Sequence, residues 1–330
     1  MNILNNVKKF PGGLLIIPMF IATLIHSVSP NILLIGDPFT SIFTSKGTMC
    51  YIGIMLFITG SQFELSNLNL ALKRGGILIL SKLIISFVFG ILIVHFCGLN
   101  GFLGISTLAL VTCIASCNPS IYIALMNDYG DDLDLATFGM LSIIAVPALP
   151  ICILNIASGG GINLSTILAT MLPFILGVIL GNLDHNIYDI LKPGNNIIIP
   201  FLGFSLGSNI NIFDAFNAGI SGFVLIIIFY IVNTIPMITV DKFLLNQPGY
   251  SASAICCIAG ISIAIPQLAA QVNSIYAPYV NSSVCQIAFT VILSTFITPL
   301  ITAFFAKVPA VHYTLIKQGD TKEHSIRNKF

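Results

Sequence analysis

Two prolines with polar neighbours stand inside long apolar stretches, at Pro119 and Pro266. Proline removes a backbone donor and clashes with the preceding helical turn, so it breaks a helix. Backbone groups freed within a membrane must be buried in protein or face a water-filled cavity. The pattern predicts two broken helices with a midplane binding site between them. Simple kinks that only shape packing are the alternative. The side chains expected to bind ligand here are hydroxyls and amides: Asn118, Ser120, Tyr122 and Gln267.

A second polar set closes two other apolar stretches. Residues 60–64 read Gly-Ser-Gln-Phe-Glu, and residues 207–211 read Gly-Ser-Asn-Ile-Asn. Such side chains hydrogen-bond a polyhydroxy acid well, but Ser and Asn are also common helix caps, so both interpretations stay open. The substrate-binding candidates of this set are Ser61, Gln62, Ser208 and Asn209.

Two charged residues lie in or beside apolar stretches. Lys82 is expected to meet a substrate carboxylate, to pair with Glu64, or to extend its ammonium to the membrane edge. Glu64 is either a carrier of a coupling proton or the first residue of a hydrated loop. The candidates for contact with a coupling ion are Glu64, Ser116, Ser262 and Asn211.

Other kinds of chemistry find little support. The five His have no metal-ligand spacing, and the eight Cys lie nearly all in apolar runs, where Cys behaves as a small hydrophobe. Motifs for hydrolases, zinc proteases and ATP binding are missing. A net charge of +1 gives no basic field for nucleic acid. We therefore expect no enzyme, no metal and no cofactor other than a coupling proton or sodium ion.

The elements that must position these residues are membrane helices. The chain is 56% hydrophobic and 8% charged, with a mean hydropathy of +0.99, whereas a soluble domain carries about 25% charged residues. We predict an all-α membrane protein with about ten transmembrane helices. The apolar runs are 11–29, 47–64, 76–97, 104–127, 134–157, 164–182, 196–212, 219–240, 252–275 and 283–306. The glycine pairs Gly177/Gly181 and Gly203/Gly207 predict closely packed helices.

The basic residues predict the orientation. With ten spans, eleven Lys and Arg fall on the side of the termini and only Lys46 falls opposite, with Lys82 inside a span. Cytoplasmic loops carry such an excess, so a multi-pass protein of the bacterial inner membrane with both termini cytoplasmic is expected. The acidic residues of one cytoplasmic connection are interpreted as a solvated loop: Asp128, Asp131, Asp132 and Asp134.

An internal repeat relates the two halves of the chain. A shift of 147 residues places Phe57, Gly60 and Ser61 on Phe204, Gly207 and Ser208, and it also places Pro119 on Pro266. Five spans separate the partners, an odd number, so the halves have opposite topology, as in many secondary transporters. We predict two five-helix inverted repeats, at 1–160 and 161–312, whose broken helices 4 and 9 cross, followed by a cytoplasmic tail at 313–330.

Short motifs along nearly the whole chain resemble bacterial 2-keto-3-deoxygluconate permeases. The motifs are Pro11-Gly12-Gly13, Ile17-Pro18-Met19-Phe20, His26-Ser27-Val28-Ser29-Pro30, Ser106-Thr107-Leu108-Ala109-Leu110-Val111, Leu172-Pro173-Phe174, Gly181-Asn182-Leu183-Asp184, Ile199-Pro200-Phe201 and Asp241-Lys242. The resemblance implies a ten-helix permease, related in plan to bile-acid-type symporters, that imports 2-dehydro-3-deoxy-D-gluconate with protons. Its partners would be this anionic sugar acid and membrane lipid, without nucleic acid. The sequence carries no signal for an oligomeric state.

The chain departs from the family pattern at four charged positions. Ala115 and Ile144 replace an Asp and a Glu, Glu64 replaces a Lys, and Asn211 replaces an Asp. Proton coupling through the first two positions does not carry over. We therefore expect secondary active import of this sugar acid by cation symport through alternating access, the cation being a proton. The alternative is the same fold with a different small organic anion or with sodium.

Overall fold

The computed structural model describes residues 6–7, 13–63, 65, 68–159 and 164–307, and these are helical, with one isolated β-bridge between Phe102 and Ile105. The helices are α1 (Gly13–Val28), α2 (Phe39–Phe43), α3 (Ser45–Ser61), α4 (Leu68–Cys97), α5 (Thr107–Ala115), α6 (Pro119–Tyr129), α7 (Asp132–Ile144), α8 (Ala148–Ala157), α9 (Leu164–Leu183), α10 (His185–Leu191), α11 (Gly194–Gly207), α12 (Ile212–Phe229), α13 (Ile235–Phe243), α14 (Tyr250–Ile255), α15 (Ile265–Val272) and α16 (Val280–Ala306). A π-helix joins α12 to α13 (Tyr230–Thr234), and 3₁₀ turns precede α15 (Gly260–Ala264) and α16 (Ser274–Tyr279).

Several of these stretches are long and apolar enough to cross a membrane. Five qualify singly: Arg74–Cys97, Thr107–Tyr129, Ala218–Phe243, Tyr250–Val272 and Ser274–Ala306. The pair α7–α8, bent by 51°, makes a sixth if it counts as one span, and α1 and part of α9 are apolar but shorter. The prediction of an all-α integral membrane protein is confirmed. Described helices lie in each of the ten apolar runs, and the count of ten spans stays a prediction.

Short polar side chains fix where several helices begin. Ser106 accepts a hydrogen bond from the N–H of Ala109 at the start of α5, and Asn118 accepts one from Ile121 at the start of α6. Asp131 and Asp134 form a reciprocal capping box at the start of α7. Such caps satisfy N–H groups that lack partners in the first turn. The irregular joints therefore leave few unpaired donors.

Four helices pack through their backbones. An added Cβ on Gly60 of α3 would lie 2.0 Å from the carbonyl oxygen of Phe174 in α9, and Gly177 and Gly181 of α9 approach α3 as closely. On α11, an added Cβ on Gly207 would lie 2.1 Å from the oxygen of Met19 in α1. The prediction that these glycines permit close helix packing is confirmed. Contacts between α3 and α11 join the two helix pairs, α3 with α9 and α1 with α11. We call these four helices the four-helix layer.

The remaining long helices form a second group. Within it α4 packs on α7, and α12 packs on α16. This group carries both interrupted stretches, α5–α6 and α14–α15, and α16 contacts each of them. We call it the crossing layer, because the two interruptions meet within it.

Replacing Gly60 by Ala should destabilise the four-helix layer. The added methyl group would meet a backbone carbonyl that cannot move away without shifting α9. We expect a loss of about 1–3 kcal/mol, measured as a lower midpoint of unfolding in detergent. Gly76→Ala is the control, because its nearest new contact is a flexible Leu72 side chain at 3.6 Å. Equal midpoints for both variants would contradict the close packing.

Candidate functional site

The fourth and ninth apolar runs are both interrupted. In the fourth run α5 ends at Ala115, residues 116–118 are non-helical, and α6 begins at Pro119. In the ninth run α14 ends at Ile255, residues 256–259 are non-helical, and a 3₁₀ turn leads into α15, whose second residue is Pro266. Each proline therefore lies in the first turn of the second half-helix. N–H groups in that turn have no acceptor within the helix, so the N–H that proline lacks costs no helical hydrogen bond.

The two interruptions hydrogen-bond directly to each other. The hydroxyl of Ser116 lies 2.7 Å from that of Ser262, and it also accepts a hydrogen bond from the N–H of Ala259 at 2.9 Å. The amide of Asn118 donates to the carbonyl of Ile258 at 3.4 Å. Three predicted site residues, Ser116, Asn118 and Ser262, thus meet at one place. Ser116 and Asn118 thereby bond to backbone groups of the other interruption, while Ser262 bonds to the hydroxyl of Ser116.

Helix α16 supplies the remaining partners of the second interruption. The Ser294 hydroxyl accepts a hydrogen bond from the N–H of Ile258 at 3.2 Å, and the Thr298 hydroxyl donates to the carbonyl of Cys256 at 2.7 Å. Both side chains are fully buried. Sequence reasoning missed these two residues, although polar residues four apart in an apolar helix are a usable signal.

The other predicted residues near the breaks differ in exposure. Ser120 is exposed and Gln267 is half-buried, and neither side chain hydrogen-bonds to a residue that the structure describes. Tyr122 is fully buried, and its hydroxyl lies 3.0 Å from both the carbonyl oxygen of Asp134 and the hydroxyl of Ser251. Tyr122 is therefore a link between helices, while Ser120 and Gln267 have unused hydrogen-bonding groups.

Lys82 is buried behind the breaks. Its side chain is 0% exposed, so the extension of its ammonium to the membrane edge is wrong. The ammonium donates to the side-chain oxygen of Asn233, in the π-helix, at 2.6 Å and lies 5.3 Å from the centre of the Phe229 ring. Within the described residues no carboxylate lies at ion-pair distance from it. The alternative partner Glu64 falls outside the described residues. A π-helix inside an α-helix often marks a functional position.

The titratable neighbours of Lys82 come from both interruptions. They are the thiols of Cys113, Cys117, Cys256 and Cys257. The ammonium of Lys82 therefore lies inside the crossing layer, close to the point where the two broken runs cross.

A cavity of about 400 Å³ opens between the two layers. This volume falls within the roughly 300–1,000 Å³ typical of small-molecule sites. Its wall is mostly apolar with two polar side chains, Ser165 of α9 and Gln271 of α15. The rest of the wall is Met49, Ile52, Gly53, Leu56, Ala169, Pro173, Leu268 and Val272.

None of the predicted site residues is among the described residues that line this cavity. Gln271 was missed, although it follows Gln267 by four residues and so shares one face of α15 with it. Leu268, next to Gln267, does line the cavity. The cavity therefore reaches the first turn of α15, the half-helix that follows the second interruption.

The polar set at the helix ends lies elsewhere. Ser61 donates to the carbonyl of Ile58, and Gln62 donates to the carbonyl of Tyr188 at 3.1 Å, at the opposite end of α3 from Met49. Ser208 donates to the carbonyl of Ser205. Asn211 caps α12 by accepting from Phe213, and Asn209 is exposed. These contacts are those of helix ends.

The acidic connection is not a solvated loop. Arg74 forms ion pairs with Asp131 at 2.9 Å and with Asp134 at 2.8 Å, and Asp134 is fully buried. Burial raises the pKa of the half-exposed Asp131 carboxyl, but backbone N–H groups and the Arg74 guanidinium outweigh it and hold the pKa below its usual value. The i, i+3 spacing of the two Asp residues before an apolar run was the signal for a capping box.

Replacing Thr298 by Val should destabilise the second interruption. The change leaves the buried carbonyl of Cys256 without its partner, at a cost of about 1–3 kcal/mol. Thr295→Val is the matched control, because its hydroxyl donates only within its own helix, to Val291. We expect a clearly lower unfolding midpoint in detergent for the first variant than for the second. Matching midpoints would mean that Cys256 finds another partner.

Comparison with known proteins places this geometry in a family. A family model described as KdgT, 2-keto-3-deoxygluconate permease, matches residues 4–310. The chain is similar to the 2-keto-3-deoxygluconate permease of Enterobacter sp. (strain 638), with 30% identity over 99% of both chains. It is 29% identical to that of Bacillus subtilis (strain 168), over 93% of this chain and 94% of the relative. With that of Pectobacterium carotovorum the identity is 31%, over 93% and 98%.

Proposed function

The chain belongs to the 2-keto-3-deoxygluconate permease family, and we propose that it imports 2-dehydro-3-deoxy-D-gluconate across a bacterial inner membrane by proton symport. The family is one of permeases, so the chain is a transporter and not an enzyme. The resemblance found in the short motifs is confirmed by the match over residues 4–310.

The observation that carries the proposal is the cavity between the two layers. It has an apolar wall with the amide of Gln271 and the hydroxyl of Ser165 in it, and it ends near the second interruption. An apolar wall with a few placed polar groups is typical of sites for small ligands. A six-carbon acid with several hydroxyls can use such groups to fix its orientation. Ser120 and Gln267, which have unused hydrogen-bonding groups, are proposed to reach it as it moves deeper.

The substrate carboxylate needs a compensating charge in this apolar region. Lys82 provides one, since its buried ammonium has three N–H groups and an Asn233 contact for one of them. We propose that its field, acting through the crossing point, attracts the carboxylate. Asn118 would complete the binding site, while Ser116 and Ser262 would respond to the coupling ion through their mutual hydrogen bond.

Alternating access would follow from an inverted repeat. The close contact of Gly60 with Phe174 has a counterpart in the contact of Gly207 with Met19. The two glycines are 147 residues apart in the chain, and their contact partners Met19 and Phe174 are 155 residues apart. The second predicted span of each half therefore packs on the first span of the other half, α3 on α9 and α11 on α1. This exchange supports two five-helix halves related by pseudo-symmetry. With both termini cytoplasmic, the cavity, which lies near the start of α3, would open to the outside.

Uptake of the labelled sugar acid into proteoliposomes tests the function. We expect accumulation when a proton gradient is imposed and none in its absence. Accumulation driven only by a sodium gradient would replace the proton as coupling ion. Failure under both gradients would overturn the substrate, and the altered charge at Glu64 makes other small organic anions the next panel to try.

Filling the cavity should block transport without unfolding the protein. Gly53 lines the cavity, and a Cβ added there has no atom within 4 Å, so Gly53→Leu has room to fold. We expect at least a tenfold loss of uptake rate with an unchanged unfolding midpoint. Thr239→Val is the control, since this exposed residue bonds only within α13. Normal uptake by Gly53→Leu would remove the cavity from the substrate path.

A further inference from the structure

Two buried carboxylates from other helices lie away from the cavity, beside the first residues of α14. Asp134 of α7 and Asp241 of α13 are both 0% exposed. One side-chain oxygen of each, Oδ1, is buried and has no hydrogen-bond partner among the described residues. Native proteins leave few buried polar atoms unsatisfied, so each exception calls for an explanation. Two such atoms on neighbouring acids point to a missing positive species.

The other oxygen of Asp134 is well compensated. Its Oδ2 lies 2.8 Å from the guanidinium of Arg74 and accepts a hydrogen bond from the hydroxyl of Tyr250 at 3.0 Å. Arg74 is itself buried and also forms an ion pair with Asp131, whose half-exposed carboxylate is in contact with solvent as well. The guanidinium of Arg74 is therefore used by both Asp134 and Asp131.

Among the described residues, no cation lies at ion-pair distance from Asp241. Its Oδ2 accepts a hydrogen bond from the N–H of Ala252 at 3.4 Å, which is a weak contact. The ammonium of the adjacent Lys242 lies 4.8 Å from the centre of the Phe305 ring instead. The charged and titratable groups that face Asp241 are Asp134 from α7, Arg74 from α4 and Tyr122 from α6. Tyr250 of α14 directs its hydroxyl to Asp134.

The charge count of this buried cluster requires one more positive charge. Arg74 neutralises one buried carboxylate, and a second uncompensated carboxylate beside it would cost several kcal/mol in an apolar interior. We propose that Asp241 is the proton-binding carboxyl of this transporter, beside the Arg74-paired carboxylate of Asp134. This inference rests on the proposed proton symport and names its site. Ionisable residues within membrane segments commonly form proton relays.

A proton fits this site better than a divalent metal ion. Hard cations such as Ca²⁺ and Mg²⁺ need six or more oxygen ligands, whereas the unpartnered buried oxygens here are the two Oδ1 atoms. The described residues also contain no group of three or more His, Cys, Asp or Glu side chains arranged for a metal. A single proton on Asp241 balances the charge without further ligands.

The site is connected to both interruptions through three consecutive residues. Tyr250 bonds to Asp134, Ser251 bonds to Tyr122, and the N–H of Ala252 bonds to Asp241. These residues begin α14, which ends at the second interruption, while Tyr122 lies one turn after the first interruption. Losing a proton at Asp241 would make it a stronger acceptor for the N–H of Ala252, and gaining one would loosen this contact with α14. The protonation state is thereby transmitted to the crossing point.

Replacing Asp241 by Asn tests the site in the reconstituted full-length protein. Asn mimics the protonated carboxyl, so we expect exchange of labelled for unlabelled sugar acid to persist within about twofold of wild type. Accumulation driven by a proton gradient should be lost. Asp128→Asn is the matched control, because this exposed acid lies outside the cluster, and it should keep both activities. Gradient-driven accumulation by the Asp241→Asn variant would overturn the proposal.

Infrared spectroscopy supplies a readout that needs no substrate. In detergent at pH 5, wild type and Asp128→Asn should show a C=O band of a protonated carboxylic acid that Asp241→Asn lacks. An unchanged band in Asp241→Asn would overturn the site. If Asp241→Asn does not fold, Asp241→Glu takes its place and should shift the band. An unshifted band in Asp241→Glu would also overturn the site. A band that depends on Asp241 in a protein without sugar-acid uptake would keep the proton site and reject the substrate.

Discussion

The constraint on which the rest of this structure depends is that backbone groups freed inside an apolar region need partners. Two helices stop halfway along their length, and the polar groups exposed there have no water or lipid that can satisfy them. Ser116 and Asn118 from one interruption serve the backbone of the other, and Ser294 and Thr298 of α16 complete the set. Each interruption is therefore stable only in the presence of the other and of α16.

This reciprocity explains why the crossing layer contains so many buried hydroxyls. A hydroxyl can donate or accept and can rotate between these roles, so it suits a joint where two irregular chain segments meet. The hydroxyl pair Ser116 and Ser262 is of this kind, since either oxygen can be the donor. Lys82 adds a fixed charge nearby whose only described hydrogen-bond acceptor is Asn233. The layer thus combines adaptable hydrogen bonds with a buried lysine.

Much of the helical framework could be predicted from sequence, and much of the site could not. Apolar runs, Pro119, Pro266 and the paired glycines are local signals, and helices, interruptions and close packing lie where they indicate. The cavity depends on which faces of α3, α9 and α15 meet, which no local pattern encodes. The acidic connection was misread because Asp134 owes its burial to Arg74, 60 residues earlier in the chain.

The glycine contacts of the four-helix layer have a mechanical consequence. Where backbone meets backbone, as at Gly60 with Phe174 and Gly207 with Met19, no side-chain rotamers are available to absorb a relative shift. Each of these helix pairs is therefore stiff and must be displaced as a unit. A change in the cavity's volume then has to arise at its opposite wall, where α15 presents the flexible side chains of Leu268 and Gln271 on a short helix preceded by irregular backbone. Stiffness on one side and compliance on the other determine which wall moves.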